Sequence, residues 1–143
     1  MDTVKLKTTG YSGTPLAKKL GIKPGFRLKL INPPEYYMDL FQNDLPADLY
    51  FDGVSAHDMV HFFTKDKKEL FDLLPLLRTA ITPAGAIWVS WPKKASKVPT
   101  DITEDLIRNY AIEQGLIDVK VCAVDEVWSG LKLVIPVKDR NNG

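Results

Sequence analysis

Apolar and polar positions follow two rhythms along this chain. Residues 26–31, Phe-Arg-Leu-Lys-Leu-Ile, alternate and predict a first strand, ended by Asn32-Pro33-Pro34. Leu70, Leu73, Leu74, Leu77 and Ile81 recur at the helical period and predict a helix over 66–81, with Pro75 kinking or splitting it. After a turn at Pro83-Ala84-Gly85, residues 86–91, Ala-Ile-Trp-Val-Ser-Trp, are apolar apart from Ser90, the pattern of a strand covered on both faces. Leu106, Ile107, Tyr110 and Ala111 stripe a second long helix, opened by a capping pair of Asp101 and Glu104 and stopped at Gly115. Residues 117–124 and 131–137 read as two closing strands paired antiparallel.

The shorter runs are less regular. Thr14-Pro15 opens a brief helix, with Thr14 as cap, Lys18 and Lys19 in its last turn and Gly21 at its stop. Residues 34–42 predict a helix carrying Tyr37, Leu40 and Phe41 on one face, and residues 49–51 a short strand closed by Asp52-Gly53. For residues 58–63, Val60, Phe62 and Phe63 favour strand over helix. Residues 1–9 and 139–143 are expected to be peripheral, the latter a frayed polar tail.

Strands alternating with helices predict an α/β fold of three layers, Rossmann-like, with a mainly parallel sheet and a C-terminal antiparallel hairpin. Ligands of such sheets bind beyond the carboxyl ends of the strands. The rule points to Asn32-Pro33-Pro34, Asp52-Gly53, Thr64-Lys65 and Trp91-Pro92-Lys93-Lys94.

The length of 143 residues fits one domain, expected to span 1–143. A net charge of +1 lacks the footprint of a general nucleic-acid binder. A single cysteine, Cys122, excludes an internal disulfide and sits in the apolar stretch Val119-Lys120-Val121-Cys122-Ala123-Val124, as a buried small hydrophobe would. No stretch has the ~20 apolar residues that span a bilayer, and the first nine residues lack a secretory apolar run, so the cytoplasm is the expected compartment.

Candidate chemistry is sparse. Ser12-Gly13-Thr14-Pro15 leads into a helix, whose free N–H groups could receive an anion with hydroxyl help from Ser12 and Thr14; simple capping is the plainer explanation. His57-Asp58-Met59-Val60-His61 has the spacing of a helical zinc motif. On a strand, however, the two histidines stand about 13 Å apart, too far to share an ion. Lys93, Lys94 and Lys97 lie in one loop at the predicted ligand edge, near Trp88, Trp91 and Trp128; Trp88 and Trp91 fall on opposite faces of their strand. A cation loop beside an aromatic wall suits a planar anionic ligand. Neither Ser12, Ser90 nor Ser129 sits in a nucleophile-elbow pattern.

Gly10-Tyr11-Ser12-Gly13-Thr14-Pro15-Leu16-Ala17, the Trp91-Pro92-Lys93-Lys94 loop and Val127-Trp128-Ser129-Gly130-Leu131-Lys132 resemble segments of an uncharacterised bacterial family of small α/β proteins, a domain of unknown function. That resemblance runs nearly the full length and implies no assigned activity. From Asp58 onward the order of elements is also similar to the second half of class I methyltransferases, closing hairpin included. That likeness implies a glycine-rich turn after the first strand, where backbone approaches the cofactor. Here the turn is Asn32-Pro33-Pro34-Glu35, without glycine and with two N–H donors removed. Asp52 falls near the spacing of a ribose-binding acid, and also near that of a turn residue before Gly53. Asn32-Pro33-Pro34 further resembles the Asn-Pro-Pro-aromatic motif of amino-group methyltransferases, with Glu35 in the aromatic position and the motif after the wrong strand.

The pattern therefore favours a non-catalytic domain binding a small anionic ligand or a partner protein, with ligand candidates Ser12, Gly13, Thr14, Asn32, Asp52, Trp91, Lys93 and Lys94. It names no cofactor, no metal and no catalytic residue. A transferase with a rebuilt cofactor site and a purely structural interaction module are the alternatives.

Overall fold

A computed structural model of the chain describes residues 14–51 and 56–142. Five strands form one sheet: β1 (Leu28–Ile31), β2 (His57–Phe63), β3 (Ile81–Pro92), β4 (Ile117–Ala123) and β5 (Trp128–Val134), in the order β1-β2-β3-β5-β4. The first three run parallel, with Leu30 opposite His61 and His61 opposite Trp88. β5 pairs antiparallel to both β3 and β4. The expected α/β architecture with a closing hairpin is thus present.

Side-chain alternation divides the core between two faces. Val60 and Phe62 of β2, Ile87, Val89 and Trp91 of β3 and Leu131 and Leu133 of β5 meet helices α2 (Lys67–Ala80) and α3 (Glu104–Glu113) on one face. Met59, Phe63 and Trp88 meet α1 (Leu16–Leu20) and a 3-10 helix, Tyr37–Phe41, on the other. The central strands β2 and β3 are covered on both sides, which explains why residues 86–91 are apolar at every position but Ser90, itself buried. Gly130 matters on the second face: a Cβ there would stand 3.1 Å from Trp88 Cε3 and 3.3 Å from Val124 Cγ2. The Trp88 indole lies over that bare backbone and donates Nε1–H to Leu20 O at 2.9 Å.

Several elements depart from the sequence pattern. Residues 34–42 form only the 3-10 helix Tyr37–Phe41, because the chain turns at Asn32, neither Pro33 nor Pro34 can donate an N–H to a helix begun earlier, and the buried Tyr37 and Phe41 need just one turn between them. The segment 49–51 makes a single parallel bridge, Arg27 with Tyr50, instead of a strand. α1 starts at Leu16 with Pro15 as its N-cap and no side-chain cap, so Thr14 does not fill that role. Thr103, not Asp101, caps α3 by accepting from Leu106 N–H, while Asp101 accepts from Lys67 N–H at the start of α2. β5 ends at Val134, and the tail expected to fray turns into a 3-10 helix, Val137–Asn142, with Arg140 Nε donating to Ile135 O.

Pro75 neither ends nor splits α2, which runs its full 14 residues. A proline leaves the carbonyl four residues earlier without its helical donor. That carbonyl is Phe71 O, and the Tyr110 hydroxyl of α3 donates to it at 2.8 Å. The rings of Phe71 and Tyr110 also contact, 4.4 Å between centroids.

Candidate functional site at the carboxyl edge of the parallel strands

β1, β2 and β3 end on the same side of the sheet, at Asn32, Thr64 and Lys93. Asn32 takes a left-handed backbone, φ 57°, which asparagine tolerates better than most residues. The conformation aims its side chain back over the strand ends. Asn32 Nδ2 donates to Phe63 O at 3.1 Å and to Glu69 Oε2 at 2.9 Å. The other Glu69 oxygen accepts from Thr64 Oγ1 at 2.6 Å. Glu69 lies in the first turn of α2, where a carboxylate is favoured by the helix dipole. One carboxylate thereby binds the ends of β1 and β2 together. Pro33 and Pro34 offer no N–H to a ligand approaching that point.

Further along the edge the loops are also tied. Thr64 N–H donates to Ser90 O at 2.9 Å, Thr100 Oγ1 to Lys65 O at 2.7 Å, and Lys93 N–H to Val127 O at 2.7 Å. Asp125 Oδ1 accepts from both Val127 and Trp128 N–H, fixing the β4–β5 turn beside the Lys93 loop.

The candidate residues scatter over this frame. Asn32 is at the end of β1, Lys93 is half-buried and Lys94 exposed at the start of the 3-10 helix Lys94–Ser96. Thr14 is exposed before α1, a five-residue helix. Ser12, Gly13, Asp52 and Gly53 lie outside the described residues. Trp91 is 8% exposed and packs inside the α2–α3 core, so its ring faces away from the edge. The aromatic beside the lysine loop is instead the half-buried Trp128, which lies across from Pro92 and meets Phe63 edge-on at 5.0 Å. Its place follows from the antiparallel register of β3 and β5, which spacing along the chain does not show.

Cys122 of β4 marks where the positive charges converge. Burial pushes its thiol up, while Lys19, Lys120 and Lys93 pull the other way. Lys19 Nζ reaches Ala123 O at 3.5 Å and Lys120 Nζ reaches Lys19 O at 3.1 Å. Lysines from α1, β4 and the loop after β3 therefore share one corner.

A second polar group lies beneath this edge. His61 Nδ1 is 2.9 Å from Tyr37 Oη, and His61 Nε2 is 2.8 Å from Ser90 Oγ. The connectivity is that of a nucleophile, a base and an orienting group. Yet Ser90 and His61 are fully buried and Tyr37 is 3% exposed, so no substrate reaches the serine. Both ring nitrogens are engaged by these hydroxyls, which also removes His61 from the two-histidine metal pattern. Among the described residues no group of three or more histidine, cysteine or acidic side chains is placed to hold a metal. No helix among them is long and apolar enough to cross a membrane.

Sheet order, layering and closing hairpin define a Rossmann-like α/β fold of three layers. Among solved structures, the chain is similar to a putative methyltransferase from Thermoplasma acidophilum, with TM-score 0.50, 8% identity, and 82% of this chain and 71% of that one covered. It is also similar to a ribosomal protein L11 methylase from Lactobacillus delbrueckii subsp. bulgaricus, with TM-score 0.52, 12% identity, and coverage of 84% and 74%. A glycopeptide N-methyltransferase complexed with sinefungin gives TM-score 0.52, 12% identity, and coverage of 84% and 90%. Identities this low establish the fold alone. No protein-family model matches the chain, and no curated protein is significantly similar to it in sequence.

Proposed function

We propose that this chain is a methyltransferase-fold domain that binds a small anionic ligand without carrying out methyl transfer. The observation that carries the reading is the Asn32–Glu69–Thr64 clamp, which occupies the end of β1 with the protein's own side chains. The ligand class follows from the lysine corner around Cys122 and from Lys94 on the exposed rim. Trp128, half-buried across from Pro92, supplies the aromatic side to such a site, a role Trp91 is too buried to play.

The reading is tested by thermal melts with S-adenosylmethionine, ATP and coenzyme A, each alone. A true ligand at ~100 times its Kd stabilises the folded state by about 2.7 kcal/mol. ATP or coenzyme A should raise the melting temperature of the wild type and lose most of that effect in a Lys93→Gln, Lys94→Gln double variant. Saturable binding of S-adenosylmethionine alone would overturn the reading. It would favour a transferase with a rebuilt cofactor site, to which the fold of the structural neighbours lends support. A partner-binding module is the remaining alternative, and co-purification of a protein that Trp128→Ala abolishes would favour it.

A further inference from the structure

At the opposite edge of the sheet, where β3 begins and β5 ends, an open groove of about 500 Å³ lies between the end of α2 and the C-terminal 3-10 helix. Its walls include Ile81, Pro83 and Ile135, and its polar groups include Arg78, Arg140 and Asp139. The volume falls within the ~300–1,000 Å³ range of small-molecule sites.

The two arginines share an arrangement. Arg78 donates Nε–H to Gly115 O at 3.3 Å, and Arg140 donates Nε–H to Ile135 O at 2.8 Å. Each guanidinium is thus anchored through the nitrogen nearest its stem, leaving the outer fork for other partners. Gly115 is part of the anchor: a Cβ there would stand 2.9 Å from Arg78 Nε, so the side chain lies directly on bare backbone. Neither arginine forms an ion pair with any described carboxylate, although Arg108 on the same helical layer takes three, from Glu104, Asp105 and Asp118. Half-buried guanidiniums usually find a carboxylate or phosphate, because their planar forks match those groups. Two of them, both half-buried and both pre-oriented, border one groove here.

From this we infer a second binding site in which Arg78 and Arg140 hold an oxyanion group, phosphate or carboxylate, of a small molecule whose apolar body rests on Ile81, Pro83 and Ile135. Asp139 leaves the groove with a net charge of +1 from these three side chains and supplies an acceptor for a ligand hydroxyl or amine. The site is independent of the lysine edge and stands whether or not that edge binds its ligand.

The experiment follows the arginine Nε–H resonances of the whole chain by NMR while inorganic pyrophosphate or citrate is added at constant ionic strength, with sodium chloride as the control. Saturable shifts of the Arg78 and Arg140 signals with pyrophosphate identify a phosphate site, and with citrate a carboxylate site; either supports the inference. Arg140→Gln, on the peripheral helix, should weaken binding at least tenfold, and Arg78→Gln similarly. Lys93→Gln should leave it unchanged. Shifts no larger than those in chloride with both probes would overturn the inference, as would equal affinity in wild type and Arg140→Gln. An apparent loss in Arg78→Gln is accepted only when its melting temperature matches the wild type, and Arg140→Gln decides otherwise.

Discussion

Replacing His61 with glutamine should remove a large share of the acid sensitivity of this fold. Burial holds the His61 imidazole down to about 3, with Tyr37 and Ser90 as its two hydrogen-bonding neighbours and, among the described residues, no carboxylate against it. In the unfolded chain the ring titrates near ~6.5. Between these values the unfolded state binds a proton that the folded state refuses, so stability falls as pH falls. The contribution is whole above pH ~6.5 and is lost progressively down to the folded value. Each pH step in that window costs about 1.4 kcal/mol, so lowering pH from 7.5 to 4.5 should cost the wild type about 2.7 kcal/mol through this ring alone. Urea unfolding of wild type and His61→Gln at both pH values, followed by tryptophan fluorescence, isolates the effect, because all other titrating groups are shared. The variant will start lower at pH 7.5, since Tyr37 and Ser90 lose the ring between them. The quantity of interest is the difference in pH-dependent loss. If both proteins lose the same stability to within about 0.5 kcal/mol, the account of a neutral, buried His61 is wrong.

Tyr110→Phe should cost about 1 kcal/mol by leaving Phe71 O without its donor, and Pro75→Ala should erase most of that cost by restoring a helical N–H; a double-mutant cycle in urea checks the coupling. Gly130→Ala should destabilise by about 1–3 kcal/mol, because Trp88 is held from moving by its bond to Leu20 O, and a melting temperature equal to wild type would contradict this. Asn32→Gly keeps the left-handed turn and loses the clamp, whereas Asn32→Ala loses both; Ala should therefore be the less stable by about 1 kcal/mol in chemical denaturation.

The long elements were legible because their patterns coincide with their burial. Leu70, Leu74 and Leu77 recur at helical spacing and all three are buried, and residues 86–91 are apolar on both parities apart from Ser90 because both faces of β3 are covered. The short elements were harder, since only tertiary contacts decide them. Tyr37 and Phe41 fit an α-helix or a 3-10 turn equally until Asn32-Pro33-Pro34 fixes the entry. The site was legible as an edge, not as a set of side chains. Trp91 points into the core because its parity matches Ile87 and Val89, while Trp128 comes to the edge by pairing across the hairpin. The His61–Tyr37–Ser90 group left no local signal, because its members are 24 and 29 residues apart and meet only once the sheet is built. His61 in an apolar strand was the one hint: a buried polar residue needs partners, and the sequence does not name them.

The clamp at the end of β1 also sets a gate on binding. A molecule that needs that position must find the chain with Asn32 released from Phe63 O and Glu69. Giving up two such bonds costs about 2–3 kcal/mol, so the open form makes up about 0.6–3% of the population. Its intrinsic affinity would be weakened about 30- to 150-fold in any equilibrium measurement. An equilibrium titration would then read as weak binding even for a well-fitting ligand, while Asn32→Gly would reveal the affinity that the closed form conceals.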